Sequence, residues 1–147
     1  MEKEINDIEA TKDWLYRYQQ KLNDIRILKE RITALDTLAT SATMDMTSPP
    51  VDHTKNCDPL GDIVSRKIDL EEEMKQKCKE ALRLMDEIDD EILILPEPEY
   101  TILHDKFIEG LCWSEIKKRV RYSKPHMYRK YNKALKELAR RLDDKKN

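Results

Sequence analysis

The chain has 147 residues, of which 39% are charged, and its mean hydropathy of −0.82 leaves too little apolar material for one thick globular core. Two glycines and many Glu, Lys, Leu, Ile and Arg residues favour an all-α protein with long helices. The N-terminal stretch lacks the apolar core of a secretion signal, and no apolar run approaches about 20 residues. We therefore expect a cytoplasmic protein that does not enter a membrane, with its three cysteines as free thiols.

The charge of the chain is unevenly distributed. Residues 110 to 147 hold 13 Lys and Arg against 4 Asp and Glu, whereas residues 1 to 109 hold 15 against 26. A basic C-terminal module on an acidic stalk is typical of a protein that binds a polyanion with one end. A solvated charged helix face would give the same count, so charge alone leaves both interpretations open.

The N-terminal half contains two apolar stripes with helical spacing and a seven-residue period. The first is formed by Ile8, Leu15, Tyr18, Leu22, Ile25, Ile32, Leu35 and Ala39, with Leu28 as a substitute where Lys29 interrupts it. The second is formed by Ile63, Leu70, Met74, Ala81, Met85, Ile88, Ile92 and Leu95, and it ends at Pro96 and Pro98. Residues 40 to 61 between them are rich in Ser, Thr, Asp and Pro, which predicts a flexible loop.

Each stripe predicts a helix of about 50 Å that has a single apolar face and needs a partner. We expect a long antiparallel, coiled-coil-like hairpin across the loop. Pairing of equivalent helices between two chains would bury the same stripe, so a homodimer through the N-terminal helices is also expected. Trp14, Tyr16 and Tyr18 are expected to pack in this seam or in a dimer contact.

A domain boundary is predicted near residue 96, with an assembly region over 1–95 and a DNA-binding domain over 96–147. The first helix of the second domain starts near Glu97 and Glu99, ends at Gly110, and turns Ile102, Leu103, Phe107 and Ile108 inward. Ser114 is the predicted N-cap of a short helix, and Ser123 that of a long one with Pro125 in its first turn. The short link between these helices, Arg121 and Tyr122, predicts a helix-turn-helix.

The long basic helix has two faces. The inward face is predicted to hold Met127, Tyr131, Ala134, Leu135 and Leu138. The outward face then holds Lys124, His126, Arg129, Lys130 and Lys133. An apolar face for docking and a cationic face for the major groove are what a recognition helix requires.

Residues 96 to 138, "PEPEYTILHDKFIEGLCWSEIKKRVRYSKPHMYRKYNKALKEL", resemble region 4 of the sigma-70 factors. They look most like phage-encoded sigma-region-4-like regulators of the ArpU and RinA type, and "GDIVSRKIDLEEEM" at 61 to 74 resembles the helical region that precedes the domain in that group. The resemblance implies a sequence-specific activator of late genes in a phage or prophage. It also implies a bacterial cytoplasm, promoter DNA as the ligand, and RNA polymerase as a partner.

By this resemblance, the base-contacting residues are Lys124, Pro125, His126, Tyr128 and Arg129. The phosphate-contacting residues are Lys117, Lys118, Arg119, Arg121, Lys130 and Lys133. Arg129 is the strongest base-reading candidate, since its fork can bind guanine O6 and N7 together. Two residues depart from the family pattern: Arg121 stands where a glycine is common, and Lys130 stands where an aliphatic residue often packs.

Several residues admit a structural interpretation beside a functional one. Trp113 is expected to plug the core rather than stack on a base, and Cys112 is expected to be a small buried thiol. His53 and Cys57 have a metal-ligand spacing but no second pair nearby, so no metal or other cofactor is expected. No nucleophile, base and orienting group occur together, which argues against an enzyme.

Two other functions fit the same pattern of elements. Small terminase subunits of phages also join a helix-turn-helix to helical oligomerisation segments, and a ring of many subunits would indicate that role. A coiled-coil adaptor that binds only protein would show no affinity for DNA even at low salt.

Overall fold

The computed structural model describes residues 2–45 and 58–146. These residues form helices and contain no strand, which confirms the predicted all-α class. The helices are α1 (Glu2–Asp45), α2 (Pro59–Ile92), α3 (Glu99–Leu103), α4 (Trp113–Val120) and α5 (Lys124–Lys146). A π-helical turn over His104–Ile108 directly continues α3. None of the helices in the described ranges has an apolar stretch long enough to cross a bilayer.

Both ends of the predicted loop over residues 40–61 are helical. α1 continues through Asp45, and α2 begins at Pro59 because Asp58 accepts a hydrogen bond from the Gly61 N–H at 3.0 Å. An aspartate N-cap followed by proline in the first helical position is a favourable helix start. The predicted flexibility of residues 46–57, and the spacing of His53 and Cys57, lie outside the described residues.

The described chain divides into two compact units. Unit 1 comprises Met1–Gln20 and Ala81–Asn147, and unit 2 comprises Lys21–Glu80. α1 and α2 each contribute residues to both units. Residues from the predicted assembly region and from the predicted DNA-binding domain therefore occur together in unit 1.

In unit 2, α1 and α2 run antiparallel, as the two stripes predict. The ion pairs between them show this direction, because the residue numbers rise along α1 while those of the partners fall along α2. The pairs are Lys21–Glu80 at 2.8 Å, Asp24–Lys77 at 3.8 Å and Asp36–Lys67 at 2.7 Å. Leu28 and Leu70 are buried in this seam. Leu22, predicted to be a seam residue, is instead 37% exposed. Lys21 is the less exposed of the two neighbours, because a lysine stem can cover apolar surface while its ammonium group reaches a carboxylate.

The core of unit 1 combines both ends of the chain. Leu15 from α1 is fully buried together with Ile88 and Ile92 from α2. The Tyr16 ring lies edge-on to the Phe107 ring, with centroids 4.9 Å apart, and Trp14 and Tyr18 pack against the same core. These three aromatic residues were predicted to pack in the hairpin seam or in a dimer contact. Their periodicity could not predict that the C-terminal helices would be their neighbours.

Gln19 connects α1 to the π-helical turn through side-chain hydrogen bonds. Its side-chain N–H group donates to the carbonyl oxygens of Phe107 at 3.0 Å and Ile108 at 3.1 Å. The last carbonyl groups of a helix have no partner within the helix, so this amide stabilises the end of the turn. Gly110 follows with φ of 69°, and it ends the helix as predicted. The four predicted inward residues of this element, Ile102, Leu103, Phe107 and Ile108, are all buried.

Candidate nucleic-acid interface

The start of α4 is set by Cys112 and not, as predicted, by Ser114. Cys112 has the extended backbone of an N-cap, with φ of −77° and ψ of 161°, and its N–H donates to Glu115 Oε2 at 3.4 Å. Glu115 stands three residues after the cap, where an acidic side chain reaches back to the free N–H. Ser114 therefore lies inside the first turn. The sequence rule favours serine over cysteine, but the position of Glu115 decides the register.

Cys112 is exposed, which corrects the expectation of a buried thiol. Its sulfur lies 3.1 Å from Ser114 Oγ. This hydrogen bond is the largest cause that lowers the pKa of the Cys112 thiol, followed by a backbone hydrogen bond from Glu115. A hydrogen bond to the charged form favours that form.

The turn between α4 and α5 depends on a left-handed residue at Arg121. It has φ of 59° and ψ of 35°, and its N–H donates to Lys117 O at 2.9 Å. Ser123 then caps α5 as predicted, because its hydroxyl accepts from the His126 N–H at 3.4 Å and its carbonyl accepts from the Met127 N–H at 2.9 Å. α4 and α5 are thus joined by a three-residue link, which positions the start of α5 beside the end of α4.

The inward face of α5 is the predicted one. All five of its members are buried, and they are Met127, Tyr131, Ala134, Leu135 and Leu138. Burial also raises the pKa of the Tyr131 hydroxyl well above its usual range. The rotation of α5 about its axis therefore agrees with the sequence prediction.

Trp113 packs against this face from α4. Its ring lies edge-on to Tyr131 at 4.7 Å and to Tyr128 at 5.1 Å, while Lys106 Nζ lies 5.0 Å from its centroid. Trp113 is half-buried, so it supports the core without being enclosed by it. Tyr128, predicted to contact bases, is also half-buried and uses one ring edge for this packing.

Cations without a carboxylate partner surround the turn. We call them the basic surface, and its members are Lys117, Lys118, Arg121, Lys124, Arg129 and Lys130. Within the ranges 2–45 and 58–146, no carboxylate oxygen lies within 4.0 Å of any of these six groups. All are exposed except Lys130, which is half-buried, and Pro125 beside them is exposed too.

Four of the seven other cations in residues 110–147 are paired with a carboxylate, whereas Lys136, Arg141 and Lys146 have none within 4.0 Å among the described residues. Arg119 lies 3.3 Å from Asp105 Oδ1, and Lys133 lies 3.8 Å from Glu99 Oε1. Arg140 pairs with Glu137 and Asp144, and Lys145 pairs with Glu91. Two predicted phosphate-contacting residues, Arg119 and Lys133, thus already have a carboxylate partner, although their side chains remain 57% and 70% exposed.

Asp105 is a residue of this region that the sequence prediction missed. It is 1% exposed, and its Oδ2 has no hydrogen-bond partner among the described residues. Burial raises the pKa of the Asp105 carboxyl, and the nearby charges of Arg119 and His104 act in the opposite direction. The available signal was an acidic residue within an apolar helix, between Leu103 and Phe107.

His126 and Arg129 form a pair on the exposed face of α5. Arg129 Nη2 lies 3.1 Å from His126 Nδ1, and the Tyr122 ring lies edge-on to the His126 ring at 4.4 Å. Both residues were predicted to contact bases, but their mutual contact was not predicted. The three-residue spacing is the signal that could have revealed it, since such residues are neighbours on a helix.

Comparison with protein-family models, with curated proteins and with solved structures gave no match to this chain. The resemblance of residues 96 to 138 to sigma region 4 therefore stays a prediction from the motifs.

Proposed function

We propose that the protein is a sequence-specific regulator of transcription that binds double-stranded DNA through α4 and α5. In this proposal α5 is the recognition helix, and the resemblance described above makes the protein a late-gene activator of a phage or prophage. One observation supports it most strongly: six cations that have no carboxylate partner among the described residues, those of the basic surface, lie around the start of α5.

Neutralising phosphates is what such a group of cations does best. Each phosphate contact by Lys or Arg releases condensed counterions from DNA, which provides affinity independent of sequence. Cations that are already paired within the protein contribute less, because they must exchange one anionic partner for another. The basic surface has no such cost, whereas Arg140 and Lys145, farther along α5, are paired with acidic residues.

The roles within the basic surface follow from reach and chemistry. Lys117, Lys118 and Arg121 lie on α4 and in the turn, where lysine and arginine would hold the DNA backbone without reading sequence. Arg129 lies on the second turn of α5, and its planar fork suits guanine O6 and N7. Arg129 is therefore the proposed base-reading residue.

A single short module makes few base contacts, so specificity needs a second element. Two copies on paired half-sites, or contact with RNA polymerase at a promoter, would supply it. The homodimer through the N-terminal helices belongs to this proposal.

Selection from a random duplex pool, followed by fluorescence anisotropy of the selected DNA at several salt concentrations, tests the function. We expect Arg129→Ala to lose about 1–3 kcal/mol of discrimination at one position. Lys118→Ala should weaken binding to all sequences and reduce the salt slope by about 1. The matched control is Lys136→Ala, which removes an exposed cation of α5 outside the basic surface. It should change the affinity and the salt slope less than Lys118→Ala does.

Two results would contradict this function. One is the absence of DNA binding at low salt. The other is an affinity that responds equally to Lys118→Ala and Lys136→Ala, since the basic surface would then have no special role.

A further inference from the structure

The contact between His126 and Arg129 fixes the protonation of the histidine. Arg129 Nη2 lies 3.1 Å from His126 Nδ1. A guanidinium group stays charged and can only donate hydrogen bonds, so Nδ1 has to be the acceptor and can hold no proton. The neutral ring then carries its proton on Nε2, the nitrogen that does not face Arg129.

The surroundings of His126 hold the ring in place. The Tyr122 ring lies edge-on at 4.4 Å with an interplanar angle of 87°, and Tyr122 itself packs against the core of unit 1. The backbone N–H of His126 donates to Ser123 Oγ. The charged group that faces the ring is the Arg129 guanidinium, and no carboxylate of the described residues lies within 4.0 Å of the ring to offset a second positive charge.

We propose, resting on the DNA-binding function above, that His126 is the positioning residue of Arg129 and makes the base selectivity of the protein depend on pH. The neutral ring accepts one N–H of the guanidinium and holds its plane, while the remaining N–H groups stay available for guanine O6 and N7. A guanidinium fixed before binding loses less side-chain entropy on DNA than one that is free to rotate.

Protonation of His126 removes this arrangement. Nδ1 becomes a donor that faces another donor, and two positive charges come within hydrogen-bond distance. The guanidinium then turns away, and the reading of its base is lost. Histidine is the side chain type that ordinarily changes charge between about pH 5 and 8, so selectivity is compared across that interval.

Affinity for DNA of any sequence and preference for the selected sequence should therefore respond differently to a lower pH. A protonated His126 adds a positive charge near the DNA backbone, which strengthens binding to any duplex or leaves it unchanged. The preference for the selected sequence should nevertheless fall. A purely electrostatic effect of pH would raise affinity for all sequences together.

The contact can be tested first without DNA, by nitrogen NMR of the imidazole rings in the full chain. The sequence has three histidines, and His53→Gln and His104→Gln assign the signals of the third. At pH 8 we expect His126 to carry its proton on Nε2 with Nδ1 as acceptor, and this preference to weaken in Arg129→Ala. A proton on Nδ1 at pH 8 would overturn the inference.

The second test measures selectivity on two duplexes of about 30 base pairs. One is selected by the wild-type chain from a random pool at pH 8, and the other is the same duplex with the guanine read by Arg129 replaced. The ratio is the dissociation constant of the altered duplex divided by that of the selected duplex. At constant salt, we expect this ratio to fall roughly 5- to 100-fold as the pH is lowered from 8 to 5.5. Circular dichroism at both pH values checks that the protein stays folded.

Two variants of one residue separate positioning from charge. His126→Asn keeps an acceptor oxygen near the place of Nδ1 and takes no proton in this range, so it should keep the ratio at both pH values. His126→Ala has no acceptor, so the ratio of the two dissociation constants should be low at both pH values. The control His104→Gln should keep the pH response of the wild type.

The outcomes distinguish this inference from the function on which it rests. A sequence preference that is independent of pH, or that survives in His126→Ala, would overturn the inference and leave the DNA-binding function intact. Absence of any sequence preference in the wild type would overturn the sequence-specific function and the inference with it.

Discussion

Asp105 places a carboxyl group in the core of unit 1, 3.3 Å from the exposed guanidinium of Arg119. Burial raises the pKa of this carboxyl above the ordinary 3.8, and the attraction of Arg119 offsets part of the effect. At a pH between the ordinary and the raised pKa, the Asp105 carboxyl of the folded chain holds a proton that the unfolded chain has released. Asp105 therefore costs stability near neutral pH, and this cost disappears as the pH falls through that interval.

Asp105→Asn tests whether the Asp105 carboxyl lowers stability near neutral pH. The carboxamide does not titrate, so the free energy of unfolding of the wild type should rise relative to that of the variant as the pH is lowered from 7 toward 4. Urea unfolding of both proteins at each pH measures the difference, and the other carboxyl groups cancel because both proteins share them. Two curves that stay parallel over the whole interval would show that Asp105 ionises as it does in the unfolded chain.

Cys112 has an exposed thiol whose pKa is lowered chiefly by its hydrogen bond with Ser114. The thiolate is the reactive form, so Cys112 should react with iodoacetamide faster at pH 7 than an unperturbed thiol peptide. Ser114→Ala removes the hydroxyl and should slow the reaction. Peptide mass spectrometry follows both rates, with the exposed Cys78 in the same chain as internal reference. A rate unaffected by Ser114→Ala would show that the hydroxyl does not stabilise the thiolate.

At the scale of elements, the link between α4 and α5 depends on one left-handed residue. Arg121 adopts φ of 59°, a conformation that costs a residue with a Cβ about 1 kcal/mol and costs glycine little. Arg121→Gly should therefore raise the free energy of unfolding by about 1 kcal/mol. The same change removes a cation of the basic surface, so DNA affinity should fall and the salt slope should decrease by about 1.

Arg121→Ala is the matched variant, because it removes the charge and retains the Cβ. It should lose DNA affinity as Arg121→Gly does, without the gain in stability. Thermal unfolding and salt titrations of both variants measure the two effects separately. Equal stabilities for the two variants would mean that the left-handed conformation does not limit this turn.

How far the sequence predicts these elements depends on the range of the interaction. The inward face of α5 follows from helical spacing, and the Ser123 cap follows from local hydrogen bonding, so both were predictable. Arg121 was identified because a glycine is common at that turn position. The start of α4 was missed because Glu115, the third residue of the helix, makes Cys112 the better cap.

The candidate site shows the same limit. The exposure of Lys124 and Arg129 follows from the pattern of α5 alone. The pairing of Arg119 with Asp105 and of Lys133 with Glu99 does not, because each carboxylate lies on another element and reaches its partner only through tertiary packing. Which cations remain available to a ligand is therefore a property of the folded unit.

At the scale of the whole molecule, unit 1 joins the first twenty residues to the elements that hold the basic surface. Gln19 binds the carbonyl groups at the end of the π-helical turn, and Leu15 is fully buried in the core that also contains Leu135. The helix proposed to enter the DNA groove thus depends on residues more than a hundred positions earlier in the chain.

Leu15→Ala tests this dependence. Removal of a fully buried leucine side chain typically costs about 2–5 kcal/mol, so unit 1 should lose that much stability. Hydrogen exchange of the α5 amides should accelerate correspondingly, although α5 is far from Leu15 in sequence. Ile5→Ala is the control on the same helix, since Ile5 is 61% exposed and its loss should change stability by less than about 0.5 kcal/mol. If exchange within α5 were the same in both variants, the N-terminal residues would not be part of the fold that presents the basic surface, and α5 would owe its stability to the C-terminal elements alone.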